Sequence, residues 1–268
     1  MNAHALADSA TMLRRSLRRM RRYPSLTLFV AGIPVALMLL FVYVFGGTLG
    51  AGIGGAAADA TLDRAAYTAY VVPAILLIAV AGAGQGTAIS VAMDMTQGII
   101  ARFRTMAIAR SSVLAGHVLG AVLQSMMAIA IVVGVALVIG FRPTAGPVAW
   151  LAALGLLALA ATAVSCLSVA LGLAANSVET ASNSPMFLTL LPFLSSGFVP
   201  AASMPGPLGW FAGVQPFTPV IETLRGLLLG TAVGDSGIEA VAWCLVVAVA
   251  GFLWAMRLYE RLPERPGA

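Results

Sequence analysis

The chain is predicted to be an all-α membrane protein with six transmembrane helices, an N-terminal amphipathic interfacial helix and re-entrant external helices between spans 5 and 6. Three observations predict this. Apolar residues fill 60% of the 268 positions and charged residues 9%, with a mean hydropathy of +0.97, whereas soluble domains carry roughly a quarter charged residues. The apolar runs are continuous rather than alternating, and in lipid, where a free N–H or C=O finds no partner, such runs span as helices and not as a barrel. Residues 188–225 are apolar but broken by Pro, Gly and Ser, too interrupted for one crossing and too apolar for a soluble loop.

Residues 1–25 form the first unit. Leu6, Ala10, Leu13, Leu17 and Met20 recur at steps of four and three, and Arg14, Arg15, Arg18, Arg19, Arg21 and Arg22 occupy the other faces. This is the pattern of a helix lying on an anionic membrane surface; the plainer alternative is a topological anchor of arginines. Both place the N-terminus in the cytoplasm. Residues 26–257 form a single six-span domain, and 258–268 a cytoplasmic tail.

The first span is expected at 26–45. Its apolar run is longer than the roughly 7–15 residues of a cleavable signal segment, so it is read as retained. A Gly/Ala-rich external loop precedes a second span that opens with Tyr67 and Tyr70, rings suited to the headgroup layer. Within that span Gly82, Gly84, Gln85 and Gly86 read as helix-packing positions, since small residues let backbones approach and an amide can bond across them. A third span at 113–139 ends in the turn Gly140-Phe141-Arg142-Pro143, a fourth covers 148–174, and a polar connection at 175–184 leads to a short fifth span from Pro185. The sixth covers 238–256.

Arginine distribution sets the orientation. Six precede the first span, three lie between the second and third spans and three follow the last, against Arg64, Arg142 and Arg225 on the other side. By the positive-inside rule both termini are cytoplasmic.

Few groups could do chemistry. The spans are almost bare of charge, and ionisable groups at depth mark enzymes and ion-coupled pumps. His4 lies in the N-terminal tail and His117 near the cytoplasmic start of the third span, where it reads as interfacial; no metal or haem ligand set is present. Cys166 and Cys244 sit inside apolar runs without motif spacing and read as small packing residues. With no lysine in the chain, a phosphate-binding P-loop is impossible. No cofactor and no nucleic-acid partner is implied, and if the protein moves a solute uphill, the energy enters from elsewhere, most naturally at a cytoplasmic feature that a second protein can push.

The segment 93–112 has the chemistry to receive such a partner. Arg102 and Arg104 flank Phe103, a combination enriched at interface hot spots; Gly98 lets the chain turn and Asp94 can cap or pair. A plain basic loop explains the composition equally well. In the broken external region, Glu222 and Arg225 are three apart, close enough to pair on one helix face, either as part of a gate or as mutual neutralisation for burial.

These residues resemble the permeases of the ABC type-2 transporter family, in particular the daunorubicin/doxorubicin-resistance exporters of actinobacteria. Three blocks carry the resemblance: Asp94 and Gly98 with Arg102-Phe103-Arg104 and Arg110; Gly140-Phe141-Arg142-Pro143; and Ser195-Ser196-Gly197 through Pro200 to Pro216, Pro219, Glu222 and Arg225. Pro219 stands where many relatives carry a polar or basic residue, a character of the drug-exporter branch. The resemblance implies a permease in the bacterial plasma membrane that pairs with a second copy and docks a separate ATPase subunit beneath each half. It implies that the first block couples to that ATPase and the third closes the external exit. Drugs or amphiphilic, lipid-like compounds are the implied cargo; a polysaccharide or cell-wall precursor is the alternative, disfavoured by an aromatic content of only 7%. A non-transporting membrane assembly protein is the reading from a different class.

Overall fold

Long apolar stretches become long helices because each residue added closes one more backbone hydrogen bond that lipid cannot supply. A computed structural model describes residues 24–48, 60–99 and 110–261, and every regular element among them is helical. The interfacial helix predicted within 1–25 falls almost entirely outside the described residues; of the tail expected at 258–268, residues 258–261 instead continue the last helix and 262–268 lie outside the described residues.

Helix α1, Pro24–Leu40, continues into a π-helical turn, Phe41–Phe45. Helix α2, Ala60–Thr96, is 37 residues long; at 1.5 Å per residue it measures about 55 Å, well beyond a hydrocarbon layer of about 30 Å. It therefore begins before Tyr67 and ends after Ala92, absorbing sequence read as loop at both ends. Helices α3, Arg110–Ile139, and α4, Pro147–Ala174, fall within three residues of their expected bounds. Gly146 and Pro147 mark the start of α4 because a proline at the first helical position loses no hydrogen bond.

The expected fifth span is not one helix. It divides into α5, Val178–Asn183, α6, Met186–Leu190, and a 3-10 turn, Leu191–Leu194. Pro185 and Pro192 remove two backbone donors, and Ser177 caps α5 by accepting from the Thr180 N–H at 3.1 Å. The polar connection is thus partly helical. After a second 3-10 turn come α7, Gly206–Val214, α8, Phe217–Leu229, and α9, Ser236–Arg261. Among the described residues five helices, α1 with its π-helical turn, α2 to α4 and α9, are long and apolar enough to cross a membrane.

Glycine and serine set the closest approaches. A Cβ on Gly172 of α4 would lie 2.7 Å from the Ala88 carbonyl oxygen of α2, and one on Gly84 would lie 2.6 Å from Val164. Gly84 and Ala88 face Ser168 and Gly172, two small-xxx-small steps that let the backbones nearly touch. On the other side of α4, a Cβ on Gly251 of α9 would meet the Leu167 backbone nitrogen at 2.7 Å. Helix α4 is therefore held between α2 and α9 by missing side chains. Cys166 and Cys244 are buried and unbridged.

Candidate functional site

At one end of the bundle the broken segment folds back on the long helices. Phe198 lies 4.4 Å from Phe41, centroid to centroid, and stacks on Phe193 at 5.1 Å, which ties the π-helical end of α1 to the segment after α6. Ser195 is buried; its hydroxyl donates to the Pro192 carbonyl and accepts from the Gly197 N–H at 3.1 Å. Gly197 is wedged in place, since a Cβ there would sit 2.5 Å from that of Ala74 and 3.1 Å from Ile221. Gln215 donates to the Leu191 carbonyl at 3.1 Å. Thr218 receives the Ser196 N–H at 3.4 Å and donates to the Ala212 carbonyl. Each bond supplies a partner to a backbone group that this irregular, buried segment would otherwise leave unmatched.

Helix α8 is built for this position. Pro216 precedes it and Pro219 lies in its first turn, where a missing N–H costs no helical bond. Its other end closes on Gly230 at φ +68°, the left-handed cap that glycine adopts without strain. The turn after α3 completes that end: Thr144 N–H donates to the Leu228 carbonyl at 3.1 Å, and Arg142 donates to the Leu137 carbonyl of α3 at 2.8 Å. The Gly140-Phe141-Arg142-Pro143 block therefore terminates one helix and leads into the support of another.

Arg225 organises the centre. Its guanidinium donates to the Ser196 carbonyl at 3.0 Å and the Tyr70 carbonyl at 3.2 Å, and its Cζ lies 3.7 Å from the centroid of the Tyr70 ring. The Tyr70 hydroxyl donates to the same Ser196 carbonyl at 2.7 Å. One side chain thus joins α8, the Ser196 turn and α2. The expected Glu222–Arg225 pair does not form among the described residues: Glu222 is exposed and accepts from the Ser236 hydroxyl at 3.4 Å. The physical reason is that Arg225 faces the half-buried groove against α2, where a fork of donors meets two carbonyls and an aromatic face. Pro200, by contrast, is exposed and accepts from the Ser203 hydroxyl at 2.7 Å; it bounds the turn and does not join the cluster.

Tyr70→Phe offers a graded check. Its hydroxyl shares the Ser196 carbonyl with Arg225, so its removal leaves the acceptor satisfied and costs about 1 kcal/mol. The melting temperature in detergent should fall by a few degrees only, and a collapse as large as that from removing Arg225 would contradict the division of labour.

At the opposite end, Asp94 is buried and its carboxylate lies 3.4 Å from His117 Nε2 of α3. Gly98 turns the chain at φ +70° after α2. Arg102, Phe103 and Arg104 lie outside the described residues, and Arg110 opens α3. Sequence reasoning missed Tyr70, Ser196 and Thr218 as members of the Arg225 cluster, and His117 as the neighbour of Asp94. The only local signals were an aromatic at a helix start and a lone imidazole near a carboxylate-bearing loop.

Comparison with known proteins agrees with this architecture. The profile described as ABC-2 type transporter matches residues 9–229. The chain is 31% identical over 262 residues to the daunorubicin resistance ABC transporter permease protein DrrB1 of Streptomyces coeruleorubidus, covering 96% of this chain and 88% of that one. It is 25% identical over 252 residues to the probable doxorubicin resistance ABC transporter permease protein DrrC of Mycobacterium tuberculosis, covering 92% and 88%.

Proposed function

Since the chain belongs to the ABC-2 type transporter family, we propose that it is the membrane-spanning permease subunit of an ATP-driven exporter of drugs and similar amphiphiles. The observation that carries the reading is similarity to named drug-resistance permeases along almost the whole chain. The helix bundle supports it: five long apolar helices and a set of short helices folded back at one end provide a conduit and its closure.

In this reading residues 178–194 form a short fifth span, about 25 Å at helical rise, which brings the count to six and both termini to the cytoplasm. The arginine distribution supports the same orientation. Helices α7 and α8 are then the re-entrant external helices, and the Arg225–Tyr70–Ser196 cluster is the latch that holds them. A separate ATPase docks at Asp94 to Arg110 of each of two permease copies, and its closure rocks the halves apart.

Two measurements test this. Cells expressing the permease with its ATPase should accumulate less daunorubicin than cells expressing either alone; export by the permease with no ATPase would overturn the scheme. Replacing Arg102 and Phe103 by alanine should lower export roughly thirtyfold, the effect of losing about 2 kcal/mol at one interface hot spot, at unchanged permease abundance. Retained coupling in that variant would move the docking surface elsewhere.

A further inference from the structure

The membrane helices carry few side-chain amides and imidazoles, and these converge. Within the five candidate spans the chain carries two side-chain amides, Gln85 and Gln124, and one imidazole, His117. All three line a single cavity of about 560 Å³ between α1, α2 and α3. Thr87, Ser90, Ser182 and Thr189 complete its polar wall, while Val30, Ile33 and Ile78 form an apolar one. A volume of this size suits a drug-sized molecule, for which pockets of about 300–1,000 Å³ are usual.

Two glycines point the same way. A Cβ placed on Gly82 or Gly86 of α2 meets nothing within 4 Å, although Gly84 between them is pressed against α4. Both line the cavity. Glycine is a weak helix former, and neither position needs it for close helix contact. Their missing side chains keep the space open. The sequence reading of 82–86 as a packing cluster thus applies to Gly84, and the outer pair serves the void.

We propose that this cavity is a binding site for an uncharged or cationic amphiphile, whose apolar body lies on α1 and Ile78 and whose carbonyl and hydroxyl groups bond to Gln85, Gln124 and His117. Among the described residues no arginine lines it, and the buried Asp94 carboxylate stands 3.4 Å from His117 Nε2, which disfavours an anionic headgroup. Gln85 also donates to the Ser182 carbonyl at 2.9 Å, which links ligand contact to the position of α5. The assignment rests on the exporter reading for the identity of the ligand and on the cavity itself for its place.

The test uses purified full-length permease in nanodiscs and the intrinsic fluorescence of daunorubicin. Wild-type protein should bind saturably. Gly82→Leu and Gly86→Leu should each weaken binding at least tenfold with an unchanged or raised melting temperature, since the added side chain enters open space. Gln124→Leu should weaken binding about tenfold without filling the site. No saturable binding, unaltered affinity in the glycine variants, or equal binding of a fluorescent phosphatidylglycerol would each overturn the proposal. Failure of the exporter reading is separately visible: binding would survive as described, yet co-expression with the ATPase would leave cellular daunorubicin unchanged.

Discussion

Arg225→Met is expected to abolish daunorubicin export while leaving the long helices assembled. The substitution removes donors to the Ser196 and Tyr70 carbonyls and the contact with the Tyr70 ring. Charge-assisted hydrogen bonds contribute about 1.5–3 kcal/mol each and a cation–π contact about 0.5–2 kcal/mol. These are not additive, because Tyr70 still donates to Ser196, so a net loss of about 3 kcal/mol is expected. That corresponds to about two decades in the population of the closed arrangement. Arg225→Lys keeps the charge but not the planar fork and should restore only part of the activity. The measurements are ATPase-dependent efflux in cells and the melting temperature of the purified protein. Efflux at the wild-type rate in Arg225→Met would end the latch hypothesis.

Gly251→Leu is expected to prevent accumulation of folded permease altogether. The added Cβ would meet the backbone of α4 at 2.7–3.0 Å across Cys166 and Leu167, and a helix backbone cannot rotate away as a side chain can. Even Gly251→Ala must push α9 outward, at a cost of about 1–3 kcal/mol by analogy with overpacked cores. Leucine should exceed that and separate the helices. Gly155→Ala is the control: its Cβ meets nothing within 4 Å, and the better helix former should be neutral or stabilising by up to about 1 kcal/mol. Folded yield by size-exclusion chromatography reads both. Normal yield for Gly251→Leu would show that α9 does not depend on that close approach.

The two substitutions differ in how visible they are from sequence. Gly251 lies four residues before Ala255 and three after Ala248, a small-residue stripe that could have been noted but not assigned a partner. Arg225 was conspicuous as a cation in an apolar region, yet its neighbour three residues away was the wrong partner. Its acceptors lie 29 and 155 residues distant in the chain, and no local spacing encodes that meeting.

The fifth segment shows the same limit differently. Pro185, read as the start of one short span, and Pro192 instead bound short helical pieces. What they do not reveal is that Phe193 and Phe198 turn toward Phe41. After α2, Gly98 turns the chain as its residue type suggests.

Membrane class and the bounds of α3 and α4 follow from the chain alone, since run length, caps and composition are local properties. Tertiary structure alone decided that Arg225 is held by Tyr70 and Ser196, that Asp94 faces His117, and that Gly84 closes a helix contact while Gly82 and Gly86 hold a cavity open. Each of these depends on which faces of separate helices come together, and that is settled by three-dimensional packing.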